Sequence, residues 1–149
     1  MRALIFDIDH TLFDADKALH AGVRDSLVIL RRLGITLGAI SSDDHRSLVR
    51  LDEAGIRSFF ADVRCASHAD NPKSVAAIHD MLKKFGVSTD ETALVSHAHA
   101  DILLGKDAQT AKTIGVSHGA ANTAALREAD ADYIVEDIPA VLDVIYAGI

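Results

Sequence analysis

The chain has 149 residues, of which 49% are hydrophobic, with a formal net charge of −7 and a single cysteine. This length is typical of one domain with a substantial core, so we treat residues 1–149 as a single domain. The negative charge argues against a general nucleic-acid surface or an acidic-membrane surface. One cysteine excludes an intramolecular disulfide, and with neither a signal peptide nor a membrane-spanning run predicted, we expect a cytoplasmic protein.

The first predicted element is a strand at Ala3–Asp7, whose near-continuous apolar run is typical of a buried parallel strand. Asp7 ends this strand, and Asp9 and Thr11 follow at spacings of two. Ligands of open α/β sheets bind at the carboxyl ends of strands. The pattern therefore indicates a site in which Asp7 is a nucleophile or metal ligand and Asp9 an acid or base. The alternative is a strand that simply ends in polar turn residues.

Short apolar runs alternate with amphipathic helical patterns along the whole chain, which favours βα units and a parallel sheet. The predicted strands lie near Ala3–Asp7, Thr36–Ile40, Ala61–Cys65, Ala93–Ser96, Thr113–Val116 and Tyr133–Val135. The predicted helices lie near Ala21–Leu33, Asp44–Ala54, Lys73–Phe85, Ala100–Ala111, Thr123–Ala129 and Pro139–Tyr146.

Two hydroxyl residues, Ser41 and Ser42, follow the second predicted strand. A hydroxyl and the N–H groups of a helix N-terminus can bind phosphate oxygens, so both serines are candidate phosphate-binding residues. The alternative is that Ser42 or Asp43 caps the next helix, and both roles can hold because a capped helix N-terminus is also an anion site. After the third predicted strand, Cys65 is expected to be a small buried residue.

Lys73 begins the third helical pattern, where a fixed ammonium would stabilise charge on a nucleophile and on phosphoryl oxygens. The alternative is that Lys73 is a solvated surface residue. After the fourth strand come Ser96, His97, His99 and Asp101. Magnesium prefers oxygen ligands and imidazole suits transition metals, so His97 is either a metal ligand or part of a polar helix start, and His99 is a weaker candidate. Five other histidines lack ligand spacing and are expected in solvent or at helix ends; they are His20, His45, His68, His79 and His118.

In their order, these motifs resemble those of the haloacid dehalogenase superfamily, whose first motif is Asp-x-Asp-x-Thr at the end of an apolar strand. The matching residues of the first three motifs are Asp7, Asp9, Thr11, Ser41 and Lys73. The fourth motif of the family is usually Gly-Asp-x-x-x-Asp. Asp101 matches its second aspartate, whereas Ser96 and His97 stand where glycine and the first aspartate are expected.

The resemblance implies an α/β, Rossmann-like doubly wound parallel sheet in the order 5-4-1-2-3. It also implies a core without a cap domain, because the gaps after the first and third strands are short.

For chemistry, the resemblance implies hydrolysis of a phosphate monoester through an aspartyl-phosphate on Asp7, with Asp9 as acid and base. The residues expected to bind phosphate are Thr11, Ser41, Ser42 and Lys73. The residues expected to bind a divalent metal, Mg²⁺ or else Mn²⁺ or another transition metal, are Asp7, Asp9, His97 and Asp101. The expected partner is a phosphorylated substrate, either a small molecule or a macromolecule. The sequence is also compatible with a homo-oligomer.

Two alternatives compete with this interpretation. The altered fourth motif favours a catalytically impaired domain that binds phosphate or a protein partner. A receiver-like signalling domain shares the doubly wound sheet, an acidic pocket and a lysine, but its phosphorylated aspartate would follow the third strand. Here that strand ends in Arg64, Cys65 and Ala66.

Overall fold

The computed structural model describes residues 1–66, 71–119 and 122–148, in which six strands alternate with six helices. The strands are β1 (Ala3–Asp7), β2 (Thr36–Ile40), β3 (Asp62–Arg64), β4 (Thr92–Ser96), β5 (Lys112–Val116) and β6 (Tyr133–Val135). The helices are α1 (Val23–Arg32), α2 (Arg46–Glu53), α3 (Val75–Phe85), α4 (His99–Asp107), α5 (Thr123–Glu128) and α6 (Ile138–Ala147).

All six strands pair in parallel, in the order β3-β2-β1-β4-β5-β6. The predicted α/β class and the predicted order of the first five strands are confirmed, and β6 extends the sheet beyond β5. From β1 the chain adds strands first on one side, β2 and β3, and then on the other side, β4, β5 and β6. The carboxyl end of β1 therefore lies at the topological switch point, where open α/β sheets bind their ligands.

The core lies on both faces of the sheet, as β1 illustrates. Leu4 and Phe6 belong to one buried cluster, and Ala3 and Ile5 belong to a second cluster on the opposite face. Helices α1 and α6 pack into the first cluster, and α3 packs into the second. Because side chains alternate between two covered faces, every position of β1 is buried, which explains its uninterrupted apolar run.

Several helix boundaries differ from the prediction because the local capping groups differ. Helix α3 begins at Val75 rather than Lys73, since the Ser74 side chain accepts a hydrogen bond from the Ala77 N–H. The predicted capping of α2 by Ser42 or Asp43 is wrong: α2 begins at Arg46, and the residue at its cap position makes no side-chain cap bond.

The connection between β1 and α1 is short. Residues 8–22 consist of turns and an isolated antiparallel bridge between Phe13 and Leu19. Cys65, in the connection after β3, is fully buried as predicted, whereas predicted residue His68 lies outside the described residues. None of the helices in the described ranges has the length and apolar character needed to cross a membrane.

Candidate active site at the carboxyl edge of the sheet

Strand register brings the first, second and fourth sequence motifs to one edge of the sheet. Asp7, the last residue of β1, is opposite Ile40 of β2, so Ser41 follows at the same level. On the other side Phe6 is opposite Val95 of β4, which places Ser96 beside Asp7. Three motifs that are far apart in the sequence therefore meet at this edge.

The Asp7 carboxylate is almost fully buried and has hydrogen-bond donors on both oxygens. Its Oδ2 accepts a bond from Thr11 Oγ1 at 2.8 Å and lies 3.1 Å from His97 Nδ1. Its Oδ1 lies 2.7 Å from Lys73 Nζ. Thr11 reaches Asp7 because the chain turns sharply after Asp9, with His10 in the left-handed region at φ 63°.

Lys73 Nζ bridges two carboxylates, since it also lies 2.8 Å from Asp101 Oδ2. Asp101 is in the first turn of α4, and the same Oδ2 accepts a bond from Ser96 Oγ at 2.7 Å. Burial lowers the pKa of Lys73, but Asp7 and Asp101 together raise it above its ordinary value of 10.5. Burial likewise raises the pKa of Asp7, but the His97 hydrogen bond and the Lys73 ammonium hold it below its ordinary value of 3.8.

The lowered pKa of Asp7 predicts a measurable acid sensitivity. A carboxyl with a folded-state pKa below 3.8 contributes stability above that pH, and the contribution is lost as pH falls below it. The free energy of unfolding, measured by urea denaturation between pH 2 and 6, should therefore fall less steeply with acid in Asp7→Asn than in the wild type. The exposed Asp16→Asn is the matched control and should retain the wild-type slope. Equal slopes in all three proteins would contradict the ion pair.

Asp9 and Ser41 form a second group of contacts beside Asp7. Ser41 is fully buried, and its Oγ donates to Asp9 Oδ2 at 2.7 Å and lies 2.7 Å from Ser47 Oγ. The other Asp9 oxygen, Oδ1, accepts a hydrogen bond from the Arg50 guanidinium. In this arrangement the predicted phosphate-binding hydroxyl of Ser41 is directed at Asp9, and it is the exposed Ser42 that lines the cavity.

His97 lies where the sequence predicts a metal ligand, and its ring faces two side chains of the first motif. Nδ1 lies 3.1 Å from Asp7 Oδ2 and 3.0 Å from Thr11 Oγ1. Thr11 Oγ1 accepts a bond from the His97 backbone N–H at 3.0 Å, which fixes the loop. Across residues 1–66, 71–119 and 122–148, no cluster of three or more His, Cys, Asp or Glu side chains is arranged to hold a metal ion. The donor set in this arrangement does not fit the predicted metal, which stays a prediction.

These side chains surround an open cavity of about 420 Å³. Its lining includes most of the predicted site residues, namely Asp7, Asp9, Ser42, Lys73, His97 and Asp101. His99 does not line it and instead pairs with Glu128 at 3.8 Å. The cavity therefore presents three carboxylates, an ammonium and the imidazoles of His10 and His97 to one small space, which suits binding and attack at a compact, charged group.

Three further residues of the site carried no signal in the sequence. Arg50 binds Asp9 from the middle of α2, and Asn122 Nδ2 donates to the His97 carbonyl at 2.8 Å. His118, expected in solvent or at a helix end, is half-buried: its Nε2 lies 2.8 Å from the Thr11 carbonyl, and its ring stacks on His20 at 3.5 Å between centroids. Arg50 was not predicted because a lone arginine on an amphipathic helix is typical of a solvated residue.

The comparison with known proteins agrees with this geometry. The sequence profile of the haloacid dehalogenase-like hydrolase family matches residues 17–116, more than half of the chain. A pyrophosphatase of Oceanobacillus iheyensis is 28% identical over 146 residues, which cover 92% of this chain and 65% of that protein. A phosphoglycolate phosphatase of Vibrio cholerae is 26% identical over 129 residues, which cover 85% of this chain and 57% of that protein. The chain thus spans about three fifths of the length of the curated relatives it matches.

Solved structures show the same fold at lower sequence identity. A provisionally assigned β-phosphoglucomutase of Thermotoga maritima superposes with a TM-score of 0.87 at 16% identity, covering 100% of both chains. A haloacid dehalogenase-like family hydrolase of Streptococcus pneumoniae superposes with a TM-score of 0.83 at 15% identity, covering 97% of this chain and 98% of that one. At these identities the likeness establishes the architecture alone.

Proposed function

The chain belongs to the haloacid dehalogenase-like hydrolase family, and from that premise we propose that it hydrolyses a phosphate monoester through an aspartyl-phosphate on Asp7. The observation that carries the proposal is the difference in hydrogen bonding between the two oxygens of the Asp7 carboxylate. Among the described residues, Oδ2 has two hydrogen-bonding neighbours, Thr11 and His97, whereas Oδ1 has only Lys73. A carboxylate oxygen has two lone pairs, so Oδ1 retains one and is the oxygen that attacks phosphorus.

In the first half-reaction, Asp7 Oδ1 forms a bond to phosphorus while the bond to the leaving oxygen breaks. Asp9 gives its proton to that leaving oxygen, which departs as an alcohol. Lys73, beside Asp7 Oδ1, neutralises charge on the phosphoryl oxygens as the bond forms. Splitting hydrolysis into two displacements in this way is a known use of aspartate nucleophiles.

In the second half-reaction, water attacks phosphorus and Asp9 accepts the proton of that water. The bond between phosphorus and Asp7 breaks, and inorganic phosphate leaves. Thr11, which donates to Asp7 Oδ2, keeps the carboxylate oriented through both steps. Ser42 and Lys73 are the cavity-lining residues that we assign to phosphate, and Thr11 and Ser41 support the two aspartates instead.

Turnover of 4-nitrophenyl phosphate and of a set of alkyl phosphates tests the proposal, with release of inorganic phosphate as the second readout. The relatives named above, a pyrophosphatase and a phosphoglycolate phosphatase, make pyrophosphate and phosphoglycolate the first natural substrates to test. Absence of turnover with every substrate and every divalent metal would contradict the proposal.

The metal requirement is tested by His97→Asp, which adds a carboxylate beside Asp7 and Asp101. We expect weak Mg²⁺ binding by the wild type, because the oxygens of Asp7 and Asp101 are already bound by Lys73, Thr11 and Ser96. His97→Asp should bind Mg²⁺ at least about tenfold more tightly, since Mg²⁺ prefers carboxylate oxygen to imidazole. Calorimetric titration with Mg²⁺ and Mn²⁺ measures this directly. Tighter Mg²⁺ binding by the wild type than by His97→Asp would contradict the expectation.

A second candidate function is a phosphate- or partner-binding module without catalysis. It is favoured by His97 in place of the usual aspartate and by the donor set described above. Such a module would bind inorganic phosphate but release no product from any ester. Family membership leaves no room for the receiver-like alternative.

A further inference from the structure

The Asp9 carboxylate is held from two directions by residues of the second βα unit. Ser41 Oγ donates to Oδ2 at 2.7 Å, and Arg50 Nη1 donates to Oδ1. Asp9 still lines the cavity, and its side chain is 28% exposed. The two contacts therefore fix the carboxylate while leaving part of it open to the space beside Asp7.

Arg50 itself is anchored. Its Nη2 donates to Asp43 Oδ2 at 2.9 Å, and its side chain is only 13% exposed. The hydrogen bond from Arg50 is also the main reason that the pKa of Asp43 lies below its usual range. One planar guanidinium thus joins Asp43 to Asp9, a fork geometry that a lysine cannot reproduce.

Both contacts on Asp9 come from hydrogen-bond donors, Ser41 Oγ and the Arg50 guanidinium. The bond from Arg50 joins two charged groups and is therefore stronger than a bond from a neutral donor. Each Asp9 oxygen accepts one described bond and so keeps one lone pair. A carboxylate held in this way is ready to take a proton from water.

We propose that Arg50 is a positioning residue for the second half-reaction, a role that rests on the proposed function. In that step a water oxygen forms a bond to phosphorus as the bond from phosphorus to the Asp7 oxygen breaks. The electron pair of the broken bond stays on the Asp7 carboxylate, and a proton of the water passes to an Asp9 oxygen. Arg50, anchored by Asp43, keeps Asp9 in place to receive that proton.

Arg50→Gln tests this role because it should lower kcat much more than kcat/KM. We expect kcat to fall about 100-fold, the lower end of what a positioned general base contributes. Because 4-nitrophenolate leaves as a stabilised anion and does not need a proton from Asp9, formation of the aspartyl-phosphate should be little affected. For this substrate kcat/KM should therefore change less than about threefold. Rapid mixing should then show a burst of one nitrophenolate per site, followed by slow turnover.

Three further variants separate positioning from a structural role. Arg46→Gln is the matched control, because Arg46 lies on the same helix and binds Asp43 and Asp44 but is exposed and makes no described contact with Asp9. It should turn over at the wild-type rate, with a burst no larger than that of the wild type. Arg50→Lys and Asp43→Asn should each give a smaller burst and a smaller loss of kcat, and they carry the test if Arg50→Gln does not fold.

The outcomes distinguish this role from the proposed function. If the wild type turns over but Arg50→Gln loses kcat and kcat/KM equally and shows no burst, or loses neither, the positioning role is wrong and the proposed function stands. If the wild type turns over no phosphate ester, the proposed function fails and the role of Arg50 fails with it.

Discussion

Asp7→Asn should abolish phosphate ester hydrolysis, with turnover falling by more than about 1,000-fold, or about 4 kcal/mol of transition-state stabilisation. An amide oxygen carries no negative charge and is a poor nucleophile, so the aspartyl-phosphate could not form. Asparagine keeps the size of the side chain, and Thr11 can still donate to its oxygen. We therefore expect a folded protein without chemistry, measured by steady-state assay alongside thermal unfolding.

Trapping the intermediate makes this result specific to Asp7. Acid quenching during turnover, followed by borohydride reduction, should convert a phosphorylated Asp7 to homoserine in the wild type and leave Asp7→Asn unmodified. The exposed Asp16→Asn is the matched control for loss of one carboxylate and should retain both turnover and trapping. Wild-type turnover by Asp7→Asn would show that the nucleophile is another group.

The strands and helices of this protein were predictable from the sequence, because apolar runs mark these elements and turn residues mark their ends. The run at Ala3–Asp7 predicts a strand buried on both faces, and both of its faces are covered. Once six such runs are placed in a parallel sheet, their carboxyl ends must share an edge. The proximity of Asp7, Ser41 and Ser96 follows from that topology rather than from any local signal.

What the sequence left open is the direction of individual side chains. Ser41 sits where a phosphate-binding hydroxyl is expected, yet its Oγ donates to Asp9, which depends on the rotamers of both residues. No sequence pattern predicts the contact of Arg50 with Asp9, because the position of Arg50 on α2 is typical of a solvated helix face. His97 was identified as unusual, but no pattern shows that its Nδ1 lies beside Asp7 Oδ2 and Thr11 Oγ1. Such contacts are set by packing among distant segments, and periodicity does not encode them.

Lys73→Ala should reduce both the stability and the activity of the protein. The Lys73 ammonium lies 2.7 Å from Asp7 and 2.8 Å from Asp101, and those side chains are only 3% and 5% exposed. Removing the ammonium leaves two buried carboxylates without the cation that neutralises them, and breaking a buried ion pair in this way costs about 3–5 kcal/mol. Urea unfolding at pH 7 should show a loss of that size.

The double variant Lys73→Ala/Asp101→Asn separates charge balance from catalysis. It removes one cation and one anion together, so it should recover at least half of the lost stability. Binding of inorganic phosphate, measured by calorimetry, should weaken at least about tenfold in both variants, because the ammonium that faces the phosphoryl oxygens is absent from both. Asp101→Asn alone keeps that ammonium and should bind phosphate at least as well as the wild type. If the double variant regained phosphate affinity along with stability, Lys73 would serve only to neutralise Asp7 and Asp101, and its place in the phosphate site would be wrong.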